Sequence, residues 1–237
     1  MFKRQNRFRR TFVAIIGACF AGLSSNAQAA NLLTNPSFEL GTFVNRGDGF
    51  QILPIGSTTI ADWTVVNDSL AWGTVPNSAA GVNPITPFDG SFFLDLQGDG
   101  TFSAPYGGVM QTLTTVSGQQ YHLAFNLGTE QSASSPATHG PISVTATAGS
   151  TSLPFTFDPG GTGTQWGEFG FDFTASSSST PISIVGAVTT GGAYIGLDLV
   201  SVTLVPEPST VALSACGALA LLIGARRKLL NRSAPAA

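Results

Sequence analysis

Cysteine is nearly absent from this 237-residue chain: Cys19 and Cys216 are the only two, and both fall in apolar stretches near the ends. The region between them therefore has no disulfide and no thiol chemistry, which excludes cysteine proteases, Cys-ligated zinc and iron–sulfur centres. Without bridges, that region must stand on its hydrophobic core alone. Basic residues are just as unevenly spread. Five of the ten Lys and Arg lie in Met1 to Arg10 and four in Arg226 to Arg232, leaving Arg46 alone in the middle. Over Asn31 to Leu204, one basic side chain faces twelve acidic ones, a net of −11. A surface of that sign repels phosphate backbones, so nucleic acid is excluded as a partner.

Histidine is also scarce. His122 and His139 have no metal-binding spacing, and no Gly-x-Ser-x-Gly elbow accompanies them, so both read as surface residues. The aspartates Asp48, Asp68, Asp89, Asp95, Asp99, Asp158 and Asp172 are numerous enough to pair as glycosidase carboxylates. Several of them precede Gly or Pro, however, which is a turn signal first. No supporting motif points to an enzyme. Helical periodicity is missing from the middle of the chain, and no repeat of 20 to 50 residues argues for a solenoid or propeller.

What is present at the ends is targeting chemistry. Residues 1–29 read as a signal peptide: a basic start, an uncharged run from about Thr11 to Leu23, and Ala27-Gln28-Ala29 before Ala30. The stretch Arg9-Arg10-Thr11-Phe12-Val13 resembles a twin-arginine signal, so export runs through Sec or Tat. At the other end, Val205, Pro206, Glu207 and Pro208 open a motif over 205–210, where the prolines forbid a strand or helix interior. An uncharged run over 211–225 follows, and Arg226, Arg227 and Lys228 begin a basic end over 226–232. Fifteen helical residues reach about 22 Å against a hydrocarbon core of about 30 Å, so thinning or snorkelling of the basic cluster completes the span. The positive charges place the tip in the cytoplasm and the preceding domain outside it.

These three parts, in this order, resemble the PEP-CTERM sorting signal. The resemblance implies an exosortase as partner and cleavage near the motif. The chain would be exported across the inner membrane, held transiently by the C-terminal helix, and passed to the cell surface or extracellular matrix.

Residues 30–204 read as one β-domain, since short alternating segments are separated by Gly, Pro, Asn and Ser clusters. Tyr121, Leu123, Phe125 and Leu127 face one way and His122, Ala124 and Asn126 the other. The same period gives Ile142, Val144 and Ala146, then Phe169, Phe171 and Phe173, then Val200, Val202 and Leu204. About ten strands are predicted, among them Leu32 to Glu39 and Ile60 to Val66, and that number suits a two-sheet jelly-roll β-sandwich.

The opening Asn31-Leu32-Leu33-Thr34-Asn35-Pro36-Ser37-Phe38-Glu39 resembles the first strand of galactose-binding-like jelly rolls, which include carbohydrate-binding modules. Tyr194-Ile195-Gly196-Leu197-Asp198-Leu199-Val200-Ser201-Val202 is similar to their last strand. Pro36 stands where the family has Gly, and Leu199 where it has a second Asp. The resemblance implies that first and last strands meet, with a structural calcium held by Glu39 and Asp198. Calcium needs several oxygen ligands, to which one or two carboxylates and backbone carbonyls contribute.

A sugar site needs exposed rings beside hydrogen-bonding groups, because ring faces stack on the C–H surfaces of sugars. Trp72, Tyr106 and Trp166 lie beside Gly or Pro and Tyr194 two residues from Gly192 and Gly196, at expected loops or strand ends, and these four are the candidate ligand-binding residues, whereas Trp63 reads as core. The sequence thus predicts an exported, non-catalytic surface or exopolysaccharide-matrix protein that binds glycan. A structural, self-associating surface protein without a small ligand is the alternative.

Overall fold

In the computed structural model, the described residues are 30–75, 85–98, 106–131, 141–189 and 194–206. They form eleven strands and no helix. One sheet has six strands in the order β1-β3-β4-β11-β6-β9, where β1 is Phe50–Leu53, β3 Leu70–Thr74, β4 Phe92–Asp95, β11 Gly196–Leu204, β6 Gln120–Gln131 and β9 Gly163–Thr174. The other has five in the order β2-β5-β10-β7-β8, where β2 is Thr64–Val66, β5 Gly108–Thr114, β10 Ser179–Thr189, β7 Ile142–Ala148 and β8 Thr151–Phe157. All pairings are antiparallel. The fold is therefore an all-β, two-sheet sandwich with jelly-roll strand order.

The alternation in sequence decides which face is buried. Leu123, Phe125, Leu127, Phe171 and Phe173 from the six-stranded sheet pack with Val109, Ile142, Val144, Ile182 and Ile184 from the five-stranded one. Phe155 of β8 meets Phe125 edge-on at 5.3 Å and lies near Phe169 and Phe171 of β9, so aromatic rings join the two sheets along that side. Each fully buried aromatic or aliphatic side chain contributes roughly 1.5–3 kcal/mol, and this replaces the missing disulfides.

Two strands not foreseen in the sequence, β1 and β3, are short and flank loops. The expected strand Ile60 to Val66 contracts to β2 plus a bridge between Gly41 and Ile60. Leu32 to Glu39 is not a strand. Asn35 and Phe38 have φ values of 50° and 59°, Pro36 supplies no N–H, and the Asn35 side chain bonds Leu40 and Ala61 across the turn. The segment nonetheless lies beside the last strand. Leu32 N–H donates to Val202 O, Val200 N–H to Pro36 O, and Asn31 bonds both Val200 and Val202 through its side chain. It fills the edge of β11 that β4, which pairs only with Gly196 and Leu197, leaves free. The segments 1–29 and 207–237, which include the expected signal peptide and membrane helix with Glu207, Pro208, Arg226, Arg227 and Lys228, lie outside the described residues. Val205 and Pro206 are described; Val205 N–H donates to Gln120 O at the end of the sandwich.

Candidate functional site

The outer face of the six-stranded sheet gathers the polar and aromatic side chains that the core does not use. Since Phe125, Leu127, Phe169 and Leu197 point inward, the intervening residues point outward. The register aligns them in rows across three strands: Gly196, Gly128 and Trp166; Asp198, Asn126 and Glu168; Ser201, Ala124 and Gly170; Thr203, His122 and Asp172.

The row of glycines explains the position of Trp166. A Cβ at Gly128 would run into the indole, standing 2.5 Å from its Cδ2, so the ring lies over a strand position that only glycine leaves flat. Its Nε1–H donates to Thr86 O at 2.9 Å, and Thr86 N–H in turn donates to Thr164 Oγ1. Phe88 follows in the same loop, 48 % exposed, with its ring 6.0 Å from that of Trp166 and tilted 58°. Phe88 was not foreseen in the sequence. The available signal was an apolar ring within the turn Pro87-Phe88-Asp89-Gly90, a position that packing does not require.

Beside this ring pair Asn126, Ala124, Gly170 and Ser201 line a strip of the outer face, kept low by the small residues Ala124 and Gly170, and this strip is the floor of the groove between the rings and His122. Gly170 keeps the floor low, because a Cβ there would stand 2.6 Å from Leu123 O. On the far side His122 Nδ1 meets Asp172 Oδ1 at 2.6 Å, both side chains being about half exposed. Asn126 is 5 % exposed, yet its side-chain amide has no hydrogen-bond partner among the described residues. Its amide N and O are not sealed from solvent, so a ligand on this face could take the place of water on them. Glu168, opposite Asn126, is exposed and has no partner among the described residues.

The other predicted rings are placed elsewhere. Trp72 is not at a loop but within β3, 1 % exposed in the core, its Nε1–H donating to Phe38 O. Tyr106 is also buried in the core, because it leads directly into β5. Tyr194 is buried against Phe50, 6.1 Å away and stacked, on the part of the outer face covered by Ile85 and Phe93. Burial, followed by the charges of Asp95, Glu130 and Asp48, raises the Tyr194 phenol well above its ordinary range. A neighbouring Gly or Pro thus marked the ends of buried strands rather than exposed loops. Trp63 is core, as expected, with its Nε1–H donating to Asn35 O. Trp166 alone of the four candidates borders the groove.

Glu39 and Asp198 are brought to one loop, the one that carries Phe88. Asp198 Oδ2 accepts from the N–H groups of Phe88 and Asp89, while its Oδ1 accepts from Leu199 N–H. Glu39 Oε1 accepts from Ser91 and Phe92, and Ser37 Oγ donates to Asp89 Oδ2 at 2.7 Å. A bulge in β11, with Leu199 at φ 44°, turns Asp198 toward this loop. Burial pushes the Asp198 carboxyl up to about 7 despite those three N–H donors, with the Asp89 charge adding to the rise. N–H dipoles direct their positive ends where a cation would sit, and calcium requires six to eight oxygens. The donor set at Asp198 does not fit calcium, and among the described residues no three His, Cys, Asp or Glu side chains are grouped to hold a metal ion.

An open depression of about 450 Å³ borders β5, lined by Leu32, Thr34, Asp62, Gln111 and Leu113 among others. It has no ring, and Gln111 is already committed to Thr34 through both ends of its amide.

Fold and site together define a β-sandwich whose six-stranded sheet presents a ring-bordered polar groove. Residues 31–194 match the family described as "Protein of unknown function (DUF642)", and the chain belongs to that family. No curated protein matches it. Among solved structures it is similar to the CBM22-1 xylan-binding domain of Paenibacillus barcinonensis Xyn10C, at 16% identity over 76% of this chain and 97% of that one, with a TM-score of 0.41. It is also similar to a family 35 carbohydrate-binding module from Clostridium thermocellum, at 16% identity over 64% and 97% with a TM-score of 0.39. The adhesin domain of Lys-gingipain from Porphyromonas gingivalis gives 15% identity over 66% and 99% with a TM-score of 0.44. At such identities and TM-scores these likenesses do not bear on what the groove holds.

Proposed function

We propose that the domain is a non-catalytic glycan-binding module, exported and sorted to the cell surface or exopolysaccharide matrix through its PEP-CTERM tail by an exosortase. The observation that carries the binding reading is the pairing of Trp166 and Phe88, two rings at the surface, with Asn126 one row away, whose amide is open to solvent and has no partner among the described residues. Ring faces stack on sugars while amides and carboxylates bond their hydroxyls.

The self-associating alternative has less support at the sheet edges. The edge strand β8 carries Pro154, which offers no N–H, and the edge strand β9 carries Glu168 and Asp172, both of which discourage strand-to-strand addition.

The test is affinity electrophoresis of the full chain, in mild detergent, through gels containing soluble xylan, galactan, glucan or the producing cell's exopolysaccharide. Retardation by at least one polymer, abolished in Trp166→Ala, is the expected outcome. Unchanged mobility in every gel contradicts the reading.

A further inference from the structure

We infer that the groove selects glycans carrying free amino groups, with an ammonium-bearing sugar on Trp166 donating to Glu168 and to the Asn126 carbonyl. The inference rests on the glycan-binding reading above and narrows it to a ligand class.

Three observations converge on it. Arg46 is the one Lys or Arg between Thr11 and Ala225, and its Nε is held by Asp48 Oδ2 at 2.6 Å. Acidic polysaccharides, whose carboxylates need Arg or Lys partners, therefore find no cation to meet them in a domain of net charge −11. Second, Glu168 lies two residues beyond Trp166 on the same face of β9, and its carboxylate is exposed and has no partner among the described residues. An aromatic face beside a carboxylate is the arrangement that attracts an ammonium group, through the ring quadrupole and a charge-assisted hydrogen bond. Third, Asn126 stands directly across from Glu168 in the register, and both ends of its amide are open to solvent and without a partner among the described residues. It can accept from the ammonium and donate to a neighbouring hydroxyl. Asp89 lies in the Phe88 loop and Asp172 on the same face of β9, and among the described residues neither has a Lys or Arg partner, Asp172 meeting only His122.

The experiment is calorimetric titration of the full chain, in mild detergent at low salt and below the amine pKa, with three hexasaccharides: β-1,4-glucosamine, its fully N-acetylated form, and galacturonate. The glucosamine hexamer is expected to bind most tightly. Glu168→Gln should reduce its affinity by about three- to five-fold, the range of one partly exposed charge pair, and leave the N-acetylated hexamer unaffected. Asp62→Asn, which removes an exposed charge on the opposite side of the sandwich, should change neither. The inference is overturned if the N-acetylated or galacturonate hexamer binds as well as the amine, or if Asp62→Asn weakens binding as much as Glu168→Gln. Binding of either of those two hexamers that Trp166→Ala abolishes leaves the glycan-binding reading standing without the amino preference. Failure of all three hexamers overturns the inference, and the polymer gels then decide the broader reading separately.

Discussion

Trp166 lies across Gly128, its indole occupying the space that any side chain at 128 would need. The ring is thus set by an absent methyl group on the neighbouring strand as much as by its own bond to Thr86. Gly128→Val should expel the indole from the sheet, cost about 1–3 kcal/mol as overpacking does, and abolish ligand binding. Denaturant unfolding and affinity electrophoresis on the same variant check both halves.

The tryptophans should divide sharply between stability and binding. Trp72→Ala empties a fully buried core site and is expected to cost about 3–5 kcal/mol. Trp166→Ala, at the surface of the same sheet, should cost about a third of that while removing binding. Equal losses of stability in urea titrations would show that Trp166 is a core residue.

Glu39 fastens the Phe88 loop by accepting from Ser91 and Phe92. Glu39→Ala leaves two N–H groups without their acceptor and is expected to destabilise by about 1–3 kcal/mol, with Glu39→Gln milder because it retains an acceptor oxygen. Since the fastening is made by backbone amides, EDTA and added calcium should leave the melting temperature unchanged. A Tm that falls with EDTA and is restored by calcium contradicts the latch as drawn.

Much of the sandwich was legible because its strands alternate strictly. Phe169, Phe171 and Phe173 in β9 and Ile142, Val144 and Ala146 in β7 announced both their period and their buried face. The short strands β1 and β3 were not legible, since four or five residues with Trp72 and Gly73 among them give no period to count. The meeting of first and last segments was readable, but the conformation of residues 31–40 was not. It depends on Asn35 bonding Leu40 and Ala61, contacts that local pattern does not encode. The site was the least visible part. The groove exists only through register, which aligns Gly128 with Trp166 and Asn126 with Glu168 from segments about forty residues apart.

Stability should depend on pH through Asp95. Burial raises its carboxyl to about 7, against the bonds it accepts from the N–H groups of Gln97 and Ile195. Between about pH 4 and pH 7 the folded chain holds a proton that the unfolded chain has released, so stability falls as pH rises through that window and is greatest below it. The total change is a few kcal/mol at most. Asp198, raised to the same value, adds a slope of the same sign, so Asp95→Asn should reduce the slope without abolishing it. Urea unfolding at each pH from 4 to 8 measures this. A stability that rises across the window contradicts the assignment.

The most direct test of the central claim uses the fact that the chain has only three tryptophans. With Trp63→Phe and Trp72→Phe in the core, all indole emission comes from Trp166 at the groove. Titration with a glycan that retards the chain in gels should shift and quench that emission in proportion to occupancy. Retardation of the same variant with Trp166 emission unchanged would place the ligand elsewhere and contradict the account.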